Sequence, residues 1–342
     1  MKSHTVPERL LKQFAYQDPI TRSLRLWRYE KGRKPYPNAS PKTATRIDGP
    51  YSHPDNAAKE EELETRLARE VEEPVNQFLP LLGDPSFSLN AEQRRRLTHY
   101  LILLFHRSEA RRGMTGHLHQ VTVRAVDQFL ANEQQILTVV AQWTIEQIHS
   151  KRGLRERITP ELVKIVARRL LKSYGSERSR QASYSQTIER TFTFFDDELY
   201  VGQWRFLRTP YSDPFVLSDA PVVTWERLER QQGFKFGVGF HEPNVEVLLP
   251  LSPSLCLHIL PRVRRTMEAR VPKVSEVNAA QAAFASRGCY TSIYSEEIDQ
   301  VLQGNFGKAR LGETAFSVWH RDYSNLVYGV LMHGESKLGN RA

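Results

Sequence analysis

The sequence predicts an α+β fold, with a largely helical N-terminal and central region packed with a small antiparallel sheet in the C-terminal half. Three observations carry this expectation. Apolar residues recur at spacings of three and four between about 58 and 200. Short apolar runs bounded by Pro, Asp and Ser take over from about 201 to 294. Between the two regimes lies WRFLRTPYSDPFVLSDAP, Trp204 to Pro221, which reads as strand, turn and strand. It ends in a sharp polar exit at Ser218-Asp219-Ala220-Pro221.

At 342 residues, 40% of them hydrophobic, the chain is long enough for a real core. Lys and Arg outnumber Asp and Glu by 48 to 39, giving a formal charge of +9. That balance suits a nucleic-acid or phosphate-bearing partner, and equally suits simple solubility. Cys256 and Cys289 are the two cysteines and form no CxxC pair, so no thiolate metal site is expected. A reducing compartment is the simpler expectation, and cytoplasm follows from it. The opening MKSHTVPERLLKQFAY has no apolar run of signal-peptide length. No stretch approaches the length of a membrane span.

The elements follow in order. Pro7 fits the first position of a helix that places Leu10, Leu11 and Phe14 on one face. So short a helix needs docking to be stable, which sets His4 either beside a packed anchor or at a frayed, solvated end. Leu24-Arg25-Leu26-Trp27-Arg28-Tyr29 alternates as a strand with Leu24 and Leu26 on its covered face. Glu30-Lys31-Gly32-Arg33 supplies turn chemistry. Residues 33–56, including Tyr51 and His53, read as an irregular arm. From Ala58 to Leu82, Leu63, Leu67, Val71, Val75, Phe78 and Leu79 mark a helix that Pro74 kinks or splits. Glu64 and Glu72 lie eight apart near one face, as a solvated acidic face or as carboxylates needing other elements to make a site.

Asn90 caps the next helix, whose stripe is Leu97, Leu101, Leu104 and Phe105. His99 and His106 are two turns apart, about 10 Å of rise, too far for one metal ion. Arg107 is the better candidate, as an anion clamp or a buried partner for a carboxylate. His117 and His119 read as loop residues, and residues 120–149 as a long helix. Thr159-Pro160-Glu161 restarts a helix, and Lys172, Arg178 and Arg180 sit in a basic loop. Ile188 to Tyr200 reads as helical. Strands are expected at Trp204–Leu207, Phe215–Leu217, Phe236–Phe240, Glu246–Pro250 and Ser254–Leu260, then a helix from Val274 to Arg287. Cys289–Tyr294 adds a strand and Glu296–Leu302 a short helix, before a loosely held tail over 306–342.

Taken together, these segments resemble the DUF4238 family of uncharacterised, mainly bacterial proteins. His4, Val6, Pro7, Leu10 and Phe14 resemble the family's opening H-x-V-P-x-x-Y-L-x-x-F. Trp27 and Tyr29 resemble its first strand, and Tyr51 an aromatic closing its arm. Glu64, Glu72 and Arg107 resemble its acidic and basic helix positions. Phe215-Val216-Leu217-Ser218-Asp219-Ala220-Pro221 resembles F-x-x-S-D-N-P, with Ala220 standing where the family has asparagine. Leu249–Pro253 resembles a P-L-S-P corner, and Val277-Asn278 a late asparagine helix. The resemblance implies one domain over 1–305, helical over about 58–200 and strand-rich over about 201–294, with 306–342 as its tail.

Two functions follow from these residues. In the favoured one, Glu64, Glu72, Ser218 and Asn278 join Arg107 and Asp219 in a buried polar network of a structural or binding module. In the alternative, the chain is a metal-dependent phosphodiesterase or nuclease. There His4 is the acid or base, Arg107 clamps phosphate, and Glu64 and Asp219 hold a divalent metal. A convergence of His4 with the carboxylates around an open cleft discriminates the two.

Overall fold

The computed structural model describes residues 2–48, 57–112, 196–228, 233–236, 244–261 and 270–309, with residue 240 and short stretches between 127 and 192. The chain divides into two compact units, 1–113 with 184–311, and 114–183 with 312–342. In the second unit, helical turns are described in which the Val163 and Ile136 N–H groups donate to the Thr159 and Asn132 carbonyls. The predicted features at Tyr51, His53, His117, His119 and the 172–181 loop lie outside the described residues. All that follows concerns the first unit.

Its chain opens with β1 (Lys2–His4), α1 (Glu8–Gln13), β2 (Tyr16–Gln17) and β3 (Leu24–Tyr29). Next come β4 (Tyr36–Ala39), β5 (Arg46–Asp48) and α2 (Ala57–Leu67). A π turn (Ala68–Glu72), α3 (Glu73–Asn76), a 3₁₀ turn (Leu79–Gly83) and α4 (Ala91–Arg107) complete the first half. The second half holds α5 (Asp197–Val201), β6 (Gln203–Arg208), β7 (Leu217–Ser218), β8 (Val223–Leu228) and β9 (Gly233–Phe236). It ends with β10 (Val245–Ser252), β11 (Leu255–Leu260), α6 (Val274–Phe284), β12 (Cys289–Thr291) and α7 (Glu296–Gln303).

The fold is mixed α+β with antiparallel sheets. One sheet has the order β6-β11-β10-β8-β9. A second runs β2-β3-β12-β7, with β4 also on β3, and β1 pairs β5 apart from both. Every residue of β11 and all but the last of β10 are buried, because both faces of that sheet are covered. Val247, Leu249, Leu257 and Ile259 share a core with residues of α1, α2, α3 and α4. Leu248, Cys256, Val223 and Trp225 share one with Val277, Ala280 and Phe284 of α6. The central sheet therefore lies between two helical layers.

Several expectations are corrected. The two strands of the Trp204–Pro221 stretch do not form one hairpin: β6 joins the first sheet and β7 the second. Sheet structure also reaches into the N-terminal segment, because β2, β3 and β4 share the second sheet with β7 and β12. The 33–56 arm contains β4 and β5, whose register is set by partners remote from them. Leu24 is exposed, while Leu26 and Tyr29 are buried. The β3–β4 register shifts between Leu26 and Arg28, and such an irregularity breaks the two-residue period. Pro7 is the N-cap of α1 rather than its first residue. The strand expected to begin at Phe236 ends there. Strand β7 ends at Ser218, and β8 begins at Val223 in the other sheet. Of the tail expected over 306–342, residues 310–342 lie outside the described residues; at its start Phe306 is buried beside Ile298 and Leu302, and the Gly307 and Ala309 N–H groups donate to the Ala282 and Ala283 carbonyls. Among the described residues, no helix is long and apolar enough to cross a membrane.

Candidate functional site

Two polar networks occupy this frame. The first begins with a helix that must pass Pro74. A proline there has no N–H and its ring crowds the carbonyl four residues back. The backbone widens instead, and the Glu73 N–H donates to the Ala68 carbonyl, five residues back. The apolar row prepares this: Leu63, Leu67, Val71 and Val75 are spaced by four and all buried. Each such step overshoots an α-helical turn by about 40°. The extra residue of the π turn takes up most of the accumulated drift. It has the same effect on Glu64 and Glu72, whose eight-residue separation then spans close to two turns and aims both carboxylates at one point.

That point is Arg107, the last residue of α4, whose side chain is 3% exposed. Its Nη2 donates to both oxygens of Glu64 at 3.0 and 2.8 Å, and its Nη1 donates to Glu72. The Tyr100 hydroxyl, two turns earlier on α4, is buried beside them. Burial, then the Glu72 charge, push it well above its ordinary range, with Arg107 opposing. It has no hydrogen-bond partner among the described residues.

His4 lies within electrostatic reach of this cluster. Strand β1 places it opposite Arg46 of β5. Burial is the main cause lowering its pKa, followed by Arg107 and Arg46, with Glu8 and Glu64 opposing. The imidazole is therefore neutral at neutral pH, and its buried Nδ1 has no partner among the described residues.

The second network is the strand exit. Strand β7 pairs with β12 through only two residues, so the rest of the Pro214–Pro221 backbone needs other partners. Helix α6 supplies them from Asn278 and Gln281, one turn apart on one face. Asn278 Oδ1 accepts from the Val216 N–H at 2.9 Å, and Nδ2 donates to the Pro214 carbonyl at 3.0 Å. Gln281 Oε1 accepts from the Ser218 N–H at 2.9 Å, and Nε2 donates to the Pro221 carbonyl at 2.9 Å. Ser218 Oγ lies 2.8 Å from both Gln281 Oε1 and the Ala220 carbonyl. Two side-chain amides thus stand in for a neighbouring strand.

Asp219 closes this network. Its two oxygens accept from the Ser286 and Arg287 N–H groups, each at 3.0 Å. Its own N–H donates to the Gly288 carbonyl at 3.2 Å. Gly288 is required here, because a Cβ on it would lie 2.5 Å from the Tyr29 carbonyl oxygen. Burial lifts the Asp219 pKa to about 6, against the bonds from Arg287 and Ser286. Beside it, Arg287 Nε donates to Glu109 at 2.6 Å and Nη1 to the Arg46 carbonyl at 3.1 Å.

The structure thus gathers Glu64, Glu72 and Arg107 in one cluster, with His4 within electrostatic reach of it, and Ser218, Asp219 and Asn278 in another. Glu64 answers Arg107, whereas Asp219 answers backbone donors at 286 and 287. Among the described residues, no group of three or more His, Cys, Asp or Glu is placed to hold a metal ion. Sequence reasoning missed Arg46, Tyr100, Gln281 and Arg287. Gln281 had a signal, a second amide one turn beyond Asn278 on an alanine-rich face. It also missed a buried pair in the central sheet, His258 Nε2 at 2.8 Å from Glu246 Oε2.

The family described as "Protein of unknown function (DUF4238)" matches residues 2–297. The chain belongs to this family. No curated protein and no solved structure matches it. The DUF4238 match contains every residue of both networks, from His4 to Gly288, and ends within α7.

Proposed function

We propose that the chain is a non-catalytic binding module, with the two networks as its internal frame. The observation that supports this best is how Asp219 is engaged. Both its oxygens are held by backbone N–H groups, so it fixes the 286–288 loop rather than facing a ligand. Arg107 is likewise spent on two carboxylates. We place the module in the cytoplasm, in keeping with free, buried Cys256 and Cys289. Its ligands would be nucleic acid or smaller phosphate-bearing molecules, in keeping with the formal charge of +9. The test pairs denaturation with a turnover assay on DNA, RNA and a small phosphodiester, with magnesium or manganese. The expected result is no turnover by the wild type, and lower stability for Asp219→Ala and Arg107→Met. Turnover that disappears in a folded His4→Ala protein would overturn the reading.

A second reading draws on His4, whose neutral ring sits in the field of Glu64 and Arg107 with a buried, unpartnered Nδ1. In a metal-dependent phosphodiesterase or nuclease, His4 would move the proton and Arg107 would clamp phosphate. Glu64 would bind a divalent ion, and Asp219 would have to release both backbone donors to join it. The same assay decides between the readings.

A further inference from the structure

Beside the second network lies an open cavity of about 410 Å³. On one side lie the end of β3 and the turn after it, with Arg28, Glu30, Lys31 and Arg33, and on the other the segments 285–287 and 306–307. The volume falls within the range of small-molecule sites. Four cations line it, Arg28, Lys31, Arg33 and Arg287. Glu30 is shared by Arg28 at 2.6 Å and Arg33 at 2.8 Å, and Arg287 is paired with Glu109. Cations therefore outnumber these carboxylates four to two, and Lys31 has no carboxylate partner among the described residues.

Both walls are fixed in advance. Gly32 takes φ 69°, a left-handed turn that glycine permits. Its N–H donates to Gln303 Oε1 at 2.8 Å, and Gln303 Nε2 donates to the Glu30 carbonyl at 2.8 Å. Helix α7 thus holds the basic turn. The opposite wall is held by Asp219 through the Ser286 and Arg287 N–H groups. Arginine and lysine side chains lining one preformed hollow suit phosphate oxygens, which accept several charge-assisted bonds at once.

We infer that this cavity binds a small phosphorylated molecule of up to nucleotide size, through Lys31 and the Arg28, Arg33 and Arg287 guanidinium groups. The inference deepens the binding reading and gives it a ligand class, at a place apart from the Arg107 cluster.

Calorimetric titration of the full chain with adenosine 5′-monophosphate, inorganic phosphate and adenosine tests it. The monophosphate binds, adenosine does not, and affinity falls as salt is raised. Lys31→Glu lowers monophosphate affinity by roughly tenfold or more, the scale of one lost charge-assisted bond, with an unchanged melting curve. If that protein does not fold, Arg33→Gln replaces it, since the Arg33 side chain is 73% exposed. No binding of either phosphate compound overturns the proposal. So does equal binding of adenosine, or an affinity that Lys31→Glu and Arg33→Gln leave unaltered. Phosphodiester turnover sinks only the non-catalytic reading, whereas lost monophosphate binding without turnover sinks only the cavity.

Discussion

Arg107 and Asp219 are both buried charged residues, yet their surroundings differ in kind. Arg107 meets two carboxylates of opposite charge, delivered by a π turn. Asp219 accepts only backbone N–H groups, and burial outweighs them. Charge answered by charge is costly to break from one side, because the remaining partners stay buried and unpaired. Charge answered by neutral donors can instead be relieved by taking up a proton. The first cluster is a fixed clamp, and the second is a joint whose strength depends on pH.

The largest expected effect separates them by deletion. Arg107→Met leaves Glu64 and Glu72 facing each other under cover, and should cost about 3–5 kcal/mol in urea unfolding. Adding Glu64→Gln and Glu72→Gln should restore part of that loss. A cost under about 1 kcal/mol would mean that water reaches the cluster freely.

The next effect is the pH dependence of Asp219. Its folded pKa is raised from 3.8 to about 6, so the folded state binds more protons between those values. Its contribution to stability is fully present below 3.8 and is lost as pH rises through about 6. The change is on the order of 3 kcal/mol. His106 runs the other way: burial and then Arg111 lower it from 6.5 to about 4. Its contribution is present above 6.5 and is lost as pH falls through about 4. Denaturation of His106→Gln proteins with and without Asp219→Asn, between pH 4 and pH 8, isolates the contribution of Asp219. A stability difference that stays flat with pH would erase the contrast between the two networks.

A smaller effect probes the amide rung. Gln281→Leu leaves the Ser218 N–H and the Pro221 carbonyl without their partner, at about 2 kcal/mol. Faster amide exchange at Ser218 should accompany it, with residues around Arg107 unaffected. The smallest effect is expected at Glu109, whose ion pair with Arg287 is over a third exposed on both sides. Glu109→Ala should cost less than about 1 kcal/mol in thermal melts.

Much of this frame was legible in the sequence because it rests on local patterns. The Asn90 cap, the apolar row from Leu63 to Leu79 and the existence of a strand at Leu24–Tyr29 each act over a few residues. So do the polar letters of Ser218-Asp219. The pairings were not legible, because they depend on contacts far along the chain. Nothing within residues 33–56 marks β5 as the partner of β1. Nothing around Pro214 says that β6 and β7 serve different sheets. The candidate site was legible as residue types rather than as geometry. Glu64, Glu72 and Arg107 could be singled out, but their meeting depends on a π turn. That turn's signal, three consecutive spacings of four running from Leu63 across Pro74 to Val75, is easily read as an ordinary helix. Tyr100 was not singled out, because its place beside Glu72 and Arg107 is set by burial in the fold.

The pairing of β3 with β12 sets Trp27 opposite Thr291 and Cys289 opposite Tyr29. During synthesis, the early strand must wait for nearly the whole family-matched region to leave the ribosome before its ladder can close. At about 5–20 residues per second, that wait lasts on the order of tens of seconds. Through it, Leu26 and Tyr29 lack their final cover, and the β3 edge is open to other chains. Closure of the β3–β12 ladder is therefore paced by the arrival of β12.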